Sequence, residues 1–145
     1  LVNEMLQLMV HTKVDYTIFF RKLSSIPQKL KDLKDSFYLP ISEEIETKWI
    51  NWLQRWREHV INKGDQNEIS AKMKRINPKY TWREWLITPA YEMAEKGDYG
   101  LIKELQAVLD KPYEEQSLEV QKKYDRLKPM KFFGAGGVSH YSCSS

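Results

Sequence analysis

The sequence predicts an all-α fold, and three observations carry that expectation. Apolar residues recur at three- and four-residue steps along most of the chain. Helix starts and stops punctuate it at regular intervals. No segment alternates apolar and polar residues long enough to make a sheet. With 145 residues, 41% of them hydrophobic, the chain can bury a real core. The expectation is a single helical domain of about six to eight helices over residues 1–131, followed by a flexible Gly-rich tail over 132–145.

The elements follow in order. Met5, Leu6, Met9 and Val10 are expected to share one face of a first helix. Asp15 can cap a second, DYTIFFRKL, with Ile18, Phe19 and Leu23 inward. Pro27 interrupts it. QKLKDLKDSFYL reads as a short helical or irregular link closed by Pro40. Ser42 then opens the strongest segment, with Glu43 and Glu44 in the first turn, where the helix dipole favours carboxylates. Ile45, Trp49, Trp52, Leu53, Trp56 and Val60 form one apolar stripe. Gly64 suits the left-handed position that ends such a helix.

Asp65 and Glu68 have capping-box spacing, and Ile69, Met73 and Ile76 make the next stripe. Asn77-Pro78 stops it, because proline disfavours helix at the residue before it. Thr81 with Glu84 predicts another start, with Trp82, Trp85 and Leu86 leading the stripe. Pro89 predicts a kink or break offset by burial of Trp85, Tyr91 and Met93. Gly97 should end that helix and Asp98 cap the next, whose apolar face is Leu101, Ile102, Leu105, Val108 and Leu109. SLEVQKKYDRL reads as a last short helix, and the pattern dissolves after Pro129.

Composition narrows function. Basic and acidic residues number 23 and 20, and they are spread evenly along the chain. That argues against nucleic acid, whose binders concentrate positive charge. No apolar run reaches the roughly 20 residues of a membrane span, and the start, LVNEML, is not a secretory signal. The absence of an initiator Met reads as a piece of a longer protein. The three histidines, His11, His59 and His140, lack metal-ligand spacing, and His140 with Cys143 offers two of the four ligands that zinc wants. GAGG lacks the Lys-Ser/Thr of a phosphate loop. Glu43-Glu44 and Glu114-Glu115 are sequence neighbours, which on a helix point about 100° apart, so neither pair converges on a substrate. Cys143 is the only cysteine. An unperturbed thiol of pKa ~8.5 is only a few per cent thiolate at pH 7. Cys143 therefore reads as half of a disulfide rather than as an enzyme nucleophile, and oxidation is expected to link two chains through it.

A set of short motifs, in order, resembles one family. Asp15-Tyr16-Thr17 with Phe19-Phe20-Arg21 comes first. Asn77-Pro78-Lys79-Tyr80, Arg83, the Ala-Glu-Lys-Gly-Asp-Tyr run at 94–99, Pro112-Tyr113 and Glu115-Gln116 follow. Ser142-Cys143-Ser144-Ser145 ends the set. Together they are similar to the C-terminal part of the selenoprotein O family, kinase-like protein adenylyltransferases. The resemblance implies a larger protein that binds ATP and Mg (or Mn) and moves AMP onto Ser, Thr or Tyr hydroxyls of other proteins. It implies that the nucleotide and metal motifs lie in a preceding kinase-like core, the partner of this chain, so no catalytic residue is carried over. It also implies that Cys143 is redox-active and pairs with a cysteine of that core. Family members would be cytoplasmic in bacteria and mitochondrial in eukaryotes. The alternative is a free-standing helical protein-interaction module without enzymatic activity, its apolar stripes taking partner helices.

Overall fold

A computed structural model describes residues 1–134. The described part is all-α: seven α-helices, three single 3-10 turns and no strand, beyond one isolated bridge between Val14 and Phe37. The chain divides after Pro78 into two compact units, whereas the sequence places its only boundary at 131/132.

The first unit begins with α1 (Val2–Thr12) and α2 (Tyr16–Leu23). Asp15 caps α2 as expected, its carboxylate accepting the Ile18 amide at 3.0 Å. Ile18, Phe19 and Leu23 are buried. The link that follows holds two 3-10 turns, Leu30–Asp32 and Lys34–Ser36. Then come α3 (Glu43–Ile61), capped by Ser42, and α4 (Gln66–Ile76), capped by Asp65. Gly64, between them, has φ +142, a backbone that side chains other than glycine's rarely adopt.

The α3 stripe makes the core. Trp49 is fully buried, and Trp52, Leu53 and Val60 are nearly so. Trp49 packs on Phe19 at 5.4 Å and edge-on to Trp52 at 5.6 Å between ring centroids, spacings at which aromatic pairs attract. Trp49 Nε1 donates to Thr12 Oγ1 at 2.9 Å and Trp52 Nε1 to the Leu1 carbonyl at 3.0 Å. Both indole donors are thus satisfied inside an apolar cluster.

Two elements differ from the sequence reading here. In α1 the inward face is Met5, Leu8, Met9 and Thr12, while Leu6 and Val10 are exposed. The apolar arc of α1 is wider than one face, and the i, i+3, i+4, i+7 set is the part that meets α3. In α4 no residue is fully buried, and Ile76 is exposed. Met73 of its stripe packs half-buried against the core, and its C-terminal end is tied down by polar bonds. Arg21 Nη1 donates to the carbonyls of Lys74 and Asn77 at 3.0 and 3.1 Å, and Asn77 Nδ2 to Ser24 Oγ at 2.9 Å. A buried cation on the last carbonyls complements the helix dipole.

The second unit contains α5 (Glu84–Glu95), α6 (Gly100–Leu109), α7 (Leu118–Tyr124) and a 3-10 turn, Met130–Phe132. Tyr80, Ile87, Ala90, Leu105, Val108 and Tyr124 form its core. α5 starts at Glu84, not after Thr81, and Trp82 is exposed. The amides of Lys79 and Tyr80 both donate to the Pro112 carbonyl, and Arg83 is extended. The chain is held straight where the capping box would have begun a helix. Pro89 sits inside α5 without ending it; Ile87 and Ala90 on either side are buried, whereas Met93 is exposed. Gly97, at φ +86, ends α5. The Gly97 amide bonds the Ala94 carbonyl and the Asp98 amide the Met93 carbonyl, at 2.9 and 3.0 Å, which is a Schellman closure. Asp98 Oδ1 then accepts the Gly100 amide at 2.9 Å and so serves the start of α6, although the residue in the cap position is Tyr99.

Candidate functional site

Cys143 and His140 lie outside the described residues. Among the described residues, the groups singled out in the sequence stay apart. His11 pairs through Nδ1 with the Gln7 carbonyl at 2.8 Å. His59 is exposed in the last turn of α3. Glu44 meets Lys48 at 2.5 Å, and that hydrogen bond lowers its carboxyl pKa. Glu114 lies 3.8 Å from Lys111, while its neighbour Glu115 turns to Lys79. No group of three or more His, Cys, Asp or Glu is placed to hold a metal ion among the described residues. No helix there is long and apolar enough to cross a membrane.

The polar cluster that the fold does assemble lies in the second unit, around Lys79. The Lys79 residue is 8% exposed. Its ammonium lies 2.5 Å from Glu115 Oε2, 3.0 Å from Gln121 Oε1 and 3.5 Å from Asp125 Oδ2. A lysine has three protons to donate, and three acceptors surround it. Tyr80 adds a bond from its hydroxyl to the Glu115 carbonyl at 2.6 Å. Gln116, at φ +59, donates through Nε2 to the carbonyls of Val108 and Lys111 at 2.8 and 2.9 Å. These bonds fasten the 112–117 loop and α7 to residues 79–80. An ammonium so engaged is no nucleophile or base; its chemistry is to hold.

A second cluster joins α6 to α7. Glu104 Oε1 accepts from Lys123 Nζ at 2.7 Å and from the Tyr124 hydroxyl at 2.9 Å. The hydrogen bond from Lys123 lowers the Glu104 pKa, and the same bond raises that of Lys123. Burial, then the bond to Glu104, raises that of Tyr124. Beside α6 lies an apolar cleft of about 280 Å³ between Ile87, Ala90, Tyr91 and Leu105, with Trp82 at its rim. None of these places pairs a nucleophile with a base.

Sequence reasoning missed the Lys79 cluster as a structural unit. Lys79, Tyr80, Glu115 and Gln116 appear among the family motifs, which is the signal that could have joined them, whereas Gln121 and Asp125 lie in no motif.

Comparison with known proteins places the chain. The family model for protein adenylyltransferase SelO matches residues 1–110. A protein nucleotidyltransferase YdiU of Methylobacillus flagellatus is 33% identical over 150 residues, covering 100% of this chain and 29% of that protein. The protein of the same name from Pseudomonas fluorescens Pf0-1 is 38% identical over 121 residues, covering 80% of this chain and 23% of its own length. That from Tolumonas auensis is 35% identical, covering 100% of this chain and 28% of its own. The chain therefore spans under a third of the length of these relatives. With a family model over most of its described residues and its motifs in order, the chain belongs to the protein adenylyltransferase SelO family.

Proposed function

We propose that this chain is the helical C-terminal part of a protein adenylyltransferase, which moves AMP from ATP onto Ser, Thr or Tyr hydroxyls of other proteins and releases pyrophosphate. The observation that carries the reading is the family match over residues 1–110 in a chain that covers 23–29% of relatives named protein nucleotidyltransferases. On this reading ATP and Mg or Mn are held outside the residues described here. Of the described glycines, Gly64 and Gly97 serve helix ends and Gly100 opens α6 beside the Asp98 carboxylate, and Lys79 is consumed by Glu115, Gln121 and Asp125. Nucleotide and metal binding belong to the kinase-like remainder of the parent protein. This chain's part is to support that core, with Cys143 as a redox position pairing with a thiol there.

The test uses the full-length parent and ATP labelled on the α-phosphate. The intact protein should transfer label to protein substrates, while the 145-residue chain alone should neither bind ATP nor transfer label. Cys143→Ala in the parent should remove any difference in activity between oxidised and reduced protein. An intact parent that neither binds ATP nor transfers AMP would sink the adenylyltransferase reading. A redox response that survives Cys143→Ala would sink the cysteine's role alone.

A further inference from the structure

In the first unit a groove of about 500 Å³ runs along α3 beside the turn Leu30–Asp32. Its floor is apolar: Leu30 and Leu53 are buried and Ile50 is 47% exposed. Its walls carry three cations, Lys29, Lys31 and Arg57, against one carboxylate, Glu46. Glu46 is already neutralised by Lys34 at 2.7 Å. Lys29 and Lys31 are exposed, and neither forms an ion pair among the described residues. The nearby Asp32 accepts the Lys29 backbone amide at 3.3 Å. Arg57 is fixed in place. Its Nη1 donates to the carbonyls of Ile26 and Pro27 at 3.0 and 2.9 Å, and it forms no ion pair among the described residues.

Lys29 and Lys31 lie in the same groove as Arg57 with no carboxylate paired to either lysine, and like charges gathered beside an apolar floor repel one another. The complement is an anionic chain with an apolar anchor. We propose that this groove docks an acidic segment of a partner protein, which seats an aliphatic side chain on Ile50 and Leu53 and sets its carboxylates against Lys29, Lys31 and Arg57. Nucleic acid fits less well: no aromatic side chain lines the groove to stack a base. The surface is one of recognition, and it stands independently of nucleotidyl transfer.

Fluorescence anisotropy of the 145-residue chain with a fluorescein-labelled peptide, DELDELDE, tests it. Controls are DESDESDE and a labelled oligothymidylate. Saturable binding is expected, weakened about tenfold when salt rises from about 50 to about 300 mM. The double variant Lys29→Glu/Lys31→Glu should bind about tenfold more weakly. Ile50→Ser in the chain, or DESDESDE in place of DELDELDE, should cost about fivefold through the lost apolar contact. All three positions are exposed, so far-UV circular dichroism should match the parent chain; if the double variant unfolds, Ile50→Ser and the salt series decide. No saturable binding up to about 1 mM, equal binding by the variants, or tighter binding of the oligothymidylate overturns the proposal.

Discussion

Trp49 and Trp85 are both buried, yet their indole N–H groups have different fates. Trp49 Nε1 bonds Thr12 Oγ1 at 2.9 Å. Trp85 Nε1 is buried with no partner among the described residues, although Arg126 lies over its ring at 4.8 Å. Replacing a bonded donor loses the bond, whereas replacing an unbonded one removes a group already paying its desolvation. Trp49→Phe should therefore destabilise its unit by about 1–3 kcal/mol, and Trp85→Phe should cost less. Hydrogen exchange in each unit measures both, and a larger loss at Trp85 would contradict the accounting. The same contrast shows how far residues were readable. The burial of Trp49 and Trp52 follows from local spacing. The Lys79 cluster does not, because its partners lie 36 and 42 residues downstream and no periodicity links them.

Helices follow the sequence where a cap and a stripe agree, as at Asp15 with α2 and Ser42 with α3. Readings failed where a distant contact overrode a local signal. Thr81 and Glu84 have the right spacing, but the bonds from residues 79–80 to Pro112 delay α5. In α1 the apolar residues exceed what one partner helix can cover, so the pattern alone could not choose among them. Pro89 is a further test of the element. It lies in the sixth position of α5, where it removes one hydrogen bond to the preceding turn. Pro89→Ala should restore that bond and stabilise the second unit by about 1–2 kcal/mol, after about 0.4–1 kcal/mol is lost through the freer unfolded chain. Thermal unfolding of the two proteins checks this. A lower melting temperature in the variant would show that proline relieves something in α5 that alanine cannot.

At the scale of the molecule, each unit has its own core and the charges are nearly balanced. The pH dependence of stability then falls to particular groups. Glu104 has a lowered pKa, so its contribution is present above about 4.3, the ordinary glutamate value, and is lost as pH falls through its folded value. Lys123 and Tyr124 have raised values. Their contributions are present below about 10, and are lost as pH rises through their folded values. Between these limbs Glu104, Lys123 and Tyr124 add no slope to the stability of the second unit. Because Lys123 and Glu104 are each 45% exposed, the ion pair is worth under about 1 kcal/mol. Glu104→Gln should cost most near pH 7 and progressively less as pH falls through the lowered folded value of the wild-type carboxyl. Urea midpoints over an acid pH series test this, and a loss independent of pH would remove Glu104 from the acid limb.

The Pro112 carbonyl, which receives both the Lys79 and Tyr80 amides, has a consequence for how the second unit is wired. With Lys79 also held to Glu115, the start of this unit is knotted to the segment after α6, and residues 81–111 become a loop closed at its base by polar bonds. A protease that severed the exposed Gly97–Tyr99 connection would open that loop without freeing either half. The pieces would stay joined by the bonds at the base and by the packing of Ile87 and Ala90 with Leu105 and Val108. The unit is thus suited to being split: its two halves, produced as separate polypeptides, have what they need to find each other.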